Sequence, residues 1–215
     1  MLVDFIQDIH KSTKRDYKGR MNDHKVECAE IARRFDKNFF DGSRRFGYGG
    51  LNDDGRYKSV AKKIIERYKL NEDSQVLDIG CAKGFLGKEI ERLSGASVWG
   101  CDISEYALEN CSLQNRFKFV AGRDSLFDLN QNWDLIISIN TLHNLRLPNL
   151  KQAITEINRR SKNAYIVVES YRNVQELHNL ECWALTCEQF FRPEEWEWLL
   201  KEWGYSGDIE YIFFE

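Results

Sequence analysis

From residue 57 onward, short apolar runs alternate with longer amphipathic stretches. The runs fall at 75–79, 97–101, 117–121, 133–139 and 164–169. Each is too short for a helix and apolar almost throughout, the pattern of strands buried on both faces. Between them apolar residues return at helical spacing over about 85–94, 104–113, 148–161 and 193–203. Val60, Ala61, Ile64 and Ile65 predict a further helix over 57–68. Pro148 and Pro193 stand where a first helical turn begins, and Gly204 where the last helix ends. A final run, 209–214, predicts a closing strand. Strand–helix alternation of this kind predicts an α/β fold: a doubly wound, mostly parallel sheet of six or seven strands with helices on both faces. The seventh strand, if formed, falls at 182–190, on the sheet edge.

Before residue 57 the pattern changes. Leu2, Phe5, Ile6 and Ile9 fall at helical spacing, and a second helix is predicted from about Asp23, with Val26, Ala29 and Phe35 toward one face. The stretch 36–55 has no periodicity but is rich in glycine and carries Phe39, Phe40, Phe46 and Tyr48. Aromatics at that density argue against disorder, and long irregular loops in compact domains are usually functional. The helical stripes are too short to bury a core of their own. The expectation is therefore one domain over 1–215, with an N-terminal helical cap and lid loop over 1–56 and the α/β core over 57–215.

Composition narrows the partners. The 215 residues carry 31 basic and 34 acidic side chains, a net charge of −3. That balance opposes nucleic acid as the main partner, because phosphate backbones select basic faces. No apolar run approaches the ~18 residues of a membrane span, and the acidic N-terminus does not resemble a signal peptide. The six cysteines show no metal-ligand spacing and read as reduced core thiols of a cytoplasmic protein; no metal site is expected.

The densest chemical signal is Val76-Leu77-Asp78-Ile79-Gly80-Cys81-Ala82-Lys83-Gly84-Phe85. A buried strand ends in an acid, a turn with two glycines follows, and a helix begins. Glycine lets backbone approach a ligand where a Cβ would collide, and the helix points free N–H groups into the same crevice. Asp78 repels a pyrophosphate and suits an ammonium or a ribose hydroxyl. The dinucleotide fingerprint G-x-G-x-x-G requires a second glycine where this chain has Ala82. A second apolar strand ends in Asp102-Ile103, one helix and one strand further on, where a ribose-binding acid is expected.

The glycine turn resembles the D-x-G-x-x-x-G motif of class I S-adenosylmethionine-dependent methyltransferases, a Rossmann-like fold. The resemblance implies S-adenosylmethionine as cofactor, contacted by Asp78, Gly80, Cys81, Ala82, Gly84, Asp102 and Ile103. Three further segments, Phe46-Gly47-Tyr48-Gly49-Gly50, Ser138-Ile139-Asn140-Thr141-Leu142-His143-Asn144 and Val168-Glu169-Ser170-Tyr171-Arg172, look like motifs of one subgroup. That subgroup occurs in bacterial capsule and surface-polysaccharide gene clusters and includes methyltransferases proposed to make O-methyl phosphoramidate groups. Class I enzymes usually end in an antiparallel hairpin; this chain shows one clear strand after its last helix, which leaves the sheet edge open. Many relatives carry Gly-Asp-Ala after the third strand. Here the run is Gly122-Arg123-Asp124, so Asp124 is the candidate for the adenine amino group, with Arg123 beside it.

In an open α/β sheet, ligands bind beyond the carboxyl ends of the central strands. This places Asn140, Thr141 and His143 toward the methionine half of the cofactor and Tyr48 over it. One of Arg44, Arg45 and Arg56 is expected to take the cofactor carboxylate. His143 is the first candidate for a general base, and Glu169 and Tyr171 should wall the acceptor pocket, Glu169 acting as a base or pairing with Arg172. Lys83 either reaches an anionic acceptor or points to water. The acceptor is read as a small molecule, anionic or nucleotide-linked among the options; a hydroxyl would need a base, whereas an anionic oxygen would ask for Arg or Lys, as in Lys14, Arg15 and Arg20. Two rival readings are a non-catalytic S-adenosylmethionine-binding partner module and a nicotinamide-dependent oxidoreductase.

Overall fold

The computed structural model describes residues 1–113, 115–120 and 131–215. Six strands form one sheet in the order β3-β2-β1-β4-β5-β6. They are β1 (Gln75–Ile79), β2 (Ser97–Asp102), β3 (Phe117–Phe119), β4 (Leu135–Ile139), β5 (Ala164–Glu169) and β6 (Asp208–Ile212). Every pairing between them is parallel. The order reverses between β1 and β4, which opens a crevice at their carboxyl ends.

Alternation along the strands divides the core into two layers. Val76, Leu135, Ile137, Tyr165 and Val167 pack on one face with Val60, Ile64 and Ile90. Leu77, Ile136, Ile166 and Val168 pack on the other with Leu150, Ile154, Ile157 and Trp196. The first face is covered by α5 (Tyr57–Tyr68) and α6 (Phe85–Ser94), the second by α8 (Leu147–Arg160) and α10 (Pro193–Glu202), with α7 (Glu105–Glu109) following β2. Each fully buried aliphatic side chain stabilises this arrangement by about 1.5–3 kcal/mol.

Ahead of α5 the chain forms α1 (Gln7–Lys11), α2 (Tyr17–Asn22), α3 (Lys25–Ala32) and α4 (Lys37–Asp41), then a short 3-10 turn at Arg44–Phe46. The stretch read as irregular therefore holds one short helix, capped by Asp36, whose side chain accepts from the Asn38 N–H. The predicted 182–190 edge strand is absent. Val174–Trp183 is instead helix α9, started by Asn173, which accepts from the Glu176 N–H. This Asn-x-x-Glu run is a helix-start signal in the sequence. The edge of the sheet is closed by the N-terminus: Leu2 bridges Ile209 in parallel, with the Val3 N–H donating to the Ile209 carbonyl.

Candidate active site

A cavity of about 560 Å³ opens at the carboxyl ends of β1, β4 and β5. Its floor is the glycine turn and its roof comes from the segments around α1, α2 and α4. Tyr48, Asp78, Gly80, Cys81, Ala82, Asn140, His143 and Glu169 all line it, though they span more than 120 residues of chain.

The turn has the shape its composition demands. Gly80 has φ +78°, and a Cβ there would meet the Thr141 hydroxyl at 2.0 Å. Thr141 therefore packs on the turn, and its hydroxyl donates to the Ile139 carbonyl. Ala82 also adopts a left-handed φ, +48°. It is held there by Asp102, whose carboxylate accepts from the Ala82 N–H at 2.8 Å and from the Ser104 N–H at 2.8 Å. Asp102 lies behind the turn rather than on the cavity wall, and Ile103 is exposed beside it. Gly84 begins α6 with φ +70°, against Cys111 and Leu113, outside the cavity lining. Arg123 and Asp124 lie outside the described residues.

Two polar groups on the wall lack partners. Asp78 is buried, and no donor reaches its carboxylate among the described residues. Burial, reinforced by the charge of Asp102, pushes its pKa up to about 7. Asn140, in a left-handed conformation at φ +55°, has a buried Oδ1 with no hydrogen bond. A buried acceptor without a donor costs about 1–3 kcal/mol. A buried acid on the cavity wall, with an amide oxygen that lacks a donor on a neighbouring lining residue, suits a cationic, hydrogen-bonding group. The ammonium of an amino-acid-bearing cofactor matches both, so the residues present fit S-adenosylmethionine.

Beyond Asn140, His143 and Glu169 form a pair. His143 is buried and its pKa is lowered by that burial, against the opposing pull of Glu169. Its Nδ1 accepts from the Glu169 N–H at 3.3 Å, which puts the ring proton on Nε2, 3.6 Å from Glu169 Oε2. Glu169 does not pair with Arg172. Arg172 is held by Glu176 and Glu215, one turn into α9 and at the chain end. Tyr171 lies outside the cavity lining, with the Arg192 guanidinium 5.6 Å from its ring centroid. The chain has already turned at Ser170, whose N–H donates to the Ile212 carbonyl and whose hydroxyl donates to Phe191.

The lid residues have partners that the sequence did not reveal. Lys83 is buried on the cavity lining, and its Nζ is already engaged: it donates to both Asp41 carboxylate oxygens, at 2.8 and 2.6 Å, and to the Leu51 carbonyl. Tyr106 donates to the same carboxylate at 2.6 Å. These contacts hold α4 and the following loop down on the turn. Tyr48 stacks on Phe40 and meets Phe39 edge-on, with its ring facing the cavity. Of the three arginines around this loop, Arg45 pairs with Asp23 and Arg56 with Asp54, whereas Arg44 has no carboxylate partner among the described residues. Trp183, at the end of α9, and His10 complete the wall and escaped sequence reading. Trp183 follows from α9 once its start signal is recognised; nothing local marks His10.

The methyltransferase-domain family matches residues 54–208 of the chain. No curated protein sequence matches it. Among solved structures it is similar to an S-adenosylmethionine-dependent methyltransferase from Archaeoglobus fulgidus, at 22% identity over 68% of each chain, with a TM-score of 0.54. It is also similar to YcgJ of Bacillus subtilis, at 18% identity over 66% of each chain, with a TM-score of 0.53. Both likenesses are of fold.

Proposed function

The chain belongs to the methyltransferase-domain family, and we propose that it methylates an oxygen of a small-molecule acceptor used in bacterial surface-polysaccharide (capsule) assembly. The polysaccharide setting rests on the motif likeness of residues 46–50, 138–144 and 168–172; the acceptor oxygen is read as a hydroxyl rather than a phosphoramidate oxygen, because the site holds a proton acceptor. The methyl donor is S-adenosylmethionine. The observation that carries the reading is one cavity holding both a cofactor end, Asp78 and Asn140, and a proton-accepting end, His143 and Glu169.

When bound, S-adenosylmethionine supplies a methyl group already activated on a sulfonium. The protein's contributions are orientation, exclusion of water and custody of one proton. Asp78, with Asn140 beside it, receives the ammonium, and Asp102 keeps the shape of the turn against which the cofactor lies. Tyr48 and Phe39 cover the site from the lid. Holding two reactants aligned removes up to ~7–11 kcal/mol of barrier.

The geometry supports Glu169 ahead of His143 as the base. With its Nδ1 lone pair committed to a backbone N–H, His143 has no free lone pair to offer. Glu169 does, and the His143 Nε2–H faces one of its oxygens. Glu169 is therefore the proton acceptor and His143 the residue that orients it. Loss of a general base typically costs 10²–10⁴ in rate. Glu169→Gln should lower the single-turnover rate by about that factor with S-adenosylhomocysteine affinity near wild type, and His143→Ala should cost less. Methyl transfer from labelled cofactor to a panel of hydroxyl-bearing metabolites measures this. Equal turnover in Glu169→Gln and wild type would remove the base from the mechanism. Tight binding of NAD without S-adenosylhomocysteine binding would remove the methyltransferase reading altogether.

A further inference from the structure

The cavity wall also carries three arginines without an ion-pair partner among the described residues. Arg15, Arg20 and Arg44 converge on Trp183, with guanidinium carbons 5.6, 4.4 and 5.0 Å from its ring centroid. All four residues line the cavity. The three side chains are fixed by neutral acceptors only. Arg15 donates through Nη1 to the His10 and Thr13 carbonyls and through Nη2 to the His10 ring. Arg20 donates to the Arg45 carbonyl, and Arg44 to the Gly47 and Tyr48 carbonyls. None has an ion-pair partner among the described residues, although Arg33, Arg45, Arg56 and Arg172 all do. The Arg15 Nε is buried and has no hydrogen-bond partner.

Such an arrangement costs stability. Burial and the charge of Arg44 both oppose the charged forms of Arg15 and Arg20, and the more distant carboxylates of Glu169, for Arg15, and Asp23, for Arg20, offset this only in part. Like charges gathered on one ring, in a chain of net charge −3, break the local rules of folding, and such breaks cluster at functional sites. His10 supports the arrangement. Its Nε2 donates to the Phe213 carbonyl, which leaves the Nδ1 lone pair facing Arg15. Burial, with Arg15 beside it, lowers its pKa to about 4, so the ring stays neutral and can accept from a guanidinium. His10 is thus a positioning residue for Arg15.

We propose that Arg15, Arg20 and Arg44 form a seat for a phosphate monoester on the methyl acceptor, which presents a neighbouring hydroxyl to Glu169. The proposal rests on the methyl-transfer reading of the same cavity. Three guanidinia call for a dianion rather than a single carboxylate, and their planar forks match phosphate oxygens. Because guanidinia already cover Trp183, the ring is not free to stack a nucleobase, which favours a simple phosphate ester over a nucleotide-linked sugar. In the reaction, the acceptor hydroxyl oxygen forms its bond to the methyl carbon as that carbon's bond to sulfur breaks. Sulfur keeps the electron pair and Glu169 takes the hydroxyl proton. The phosphate is a handle and is not itself methylated.

The test is calorimetry on the full chain saturated with S-adenosylhomocysteine, using inorganic phosphate, glycerol 3-phosphate, glycerol and UDP-glucose as probes. Glycerol 3-phosphate and phosphate should bind, glycerol should not, and UDP-glucose should bind no more tightly than glycerol 3-phosphate. Arg15→Gln and Arg20→Gln should each weaken glycerol 3-phosphate at least tenfold, Arg20→Lys less, with S-adenosylhomocysteine affinity unchanged. If Gln variants lose their fold, Arg20→Lys and the salt dependence of binding carry the test, since a charge-held ligand weakens steeply with salt. Phosphate affinity unaltered by all three variants, or no phosphate binding by a wild-type protein that binds S-adenosylhomocysteine, overturns the seat. Tighter binding of UDP-glucose overturns the monoester assignment. Failure of S-adenosylhomocysteine itself to bind would instead strike the methyl-transfer reading.

Discussion

Asp78 combines burial, an open carboxylate and a pKa raised to about 7. Its unfolded-state value is near 3.9, so between these limits the folded chain holds a proton that the unfolded chain releases. Stability from this group is complete below about pH 4 and is lost as pH rises through about 7. Asp78→Asn should therefore raise the melting temperature of the ligand-free protein at pH 8 more than at pH 5. A cationic ligand group favours the ionised acid, so wild-type affinity for S-adenosylhomocysteine should climb as pH rises toward 7, and Asp78→Asn should abolish that slope. Melting curves and calorimetry across pH 5–8 check both. Asp102 has a different task, since its two oxygens hold the Ala82 and Ser104 N–H groups. Asp102→Ala should weaken S-adenosylhomocysteine at least tenfold, about 1.4 kcal/mol, and should also lower the melting temperature because two backbone donors lose an acceptor. The turn acids could be read from the sequence because residue type and spacing carry them. The pairing of His143 with Glu169 could not, because it depends on which ring nitrogen meets a backbone N–H 26 residues further along the chain.

At the scale of elements, residues 41–53 are tied to the α/β core by a few charges. Lys83 joins Asp41 and the Leu51 carbonyl, and Lys88 joins Asp53 at 2.8 Å. The Lys83–Asp41 pair is mostly buried, and breaking such a pair leaves an uncompensated charge. Lys83→Met should thus speed proteolysis within residues 42–56, and S-adenosylhomocysteine should slow cleavage of the wild type there. Limited proteolysis with and without ligand measures it, and equal cleavage in all four samples would show that these residues are not a lid. Strands β1 and β5, helix α6 and helix α5 fall where hydrophobic periodicity placed them, because each buries a continuous apolar face. Helix α9 did not, since its apolar face is weak and its only strong signal is the Asn173 cap. Helix α4 was hidden for a related reason: at five residues it is too short for periodicity to show.

For the molecule as a whole, the N-terminal segment and the last strand depend on one another. Glu210, buried in β6, accepts from the Phe5 N–H at 2.8 Å, the Ile6 N–H at 3.0 Å and the Tyr165 hydroxyl at 2.6 Å. Together with the Leu2–Ile209 bridge this fixes α1, and with it His10 and Arg15, over the cavity. Hydrogen bonds to a charged group contribute about 1.5–3 kcal/mol each. Glu210→Ala should cost roughly 3 kcal/mol or more and lower the melting temperature by about 6–12 °C. Hydrogen exchange should report lost protection across residues 2–10. The strand order is also that of dinucleotide-binding sheets, so topology alone does not separate methyl transfer from hydride transfer. Ala82 and the family match over residues 54–208 do.

By itself, the sequence determined the α/β class and the glycine turn that follows an acid-bearing first strand. Those features arise from contacts close along the chain, where alternation, glycine placement and strand-ending acids leave a local record. Tertiary structure alone decided that the sheet has six parallel strands and that Lys83 meets Asp41. It alone brought Arg15, Arg20 and Arg44 onto one ring and turned Glu169 toward His143 instead of Arg172. Each of these joins residues far apart in sequence, and partner choice among charged side chains depends on distance and burial that no local pattern encodes.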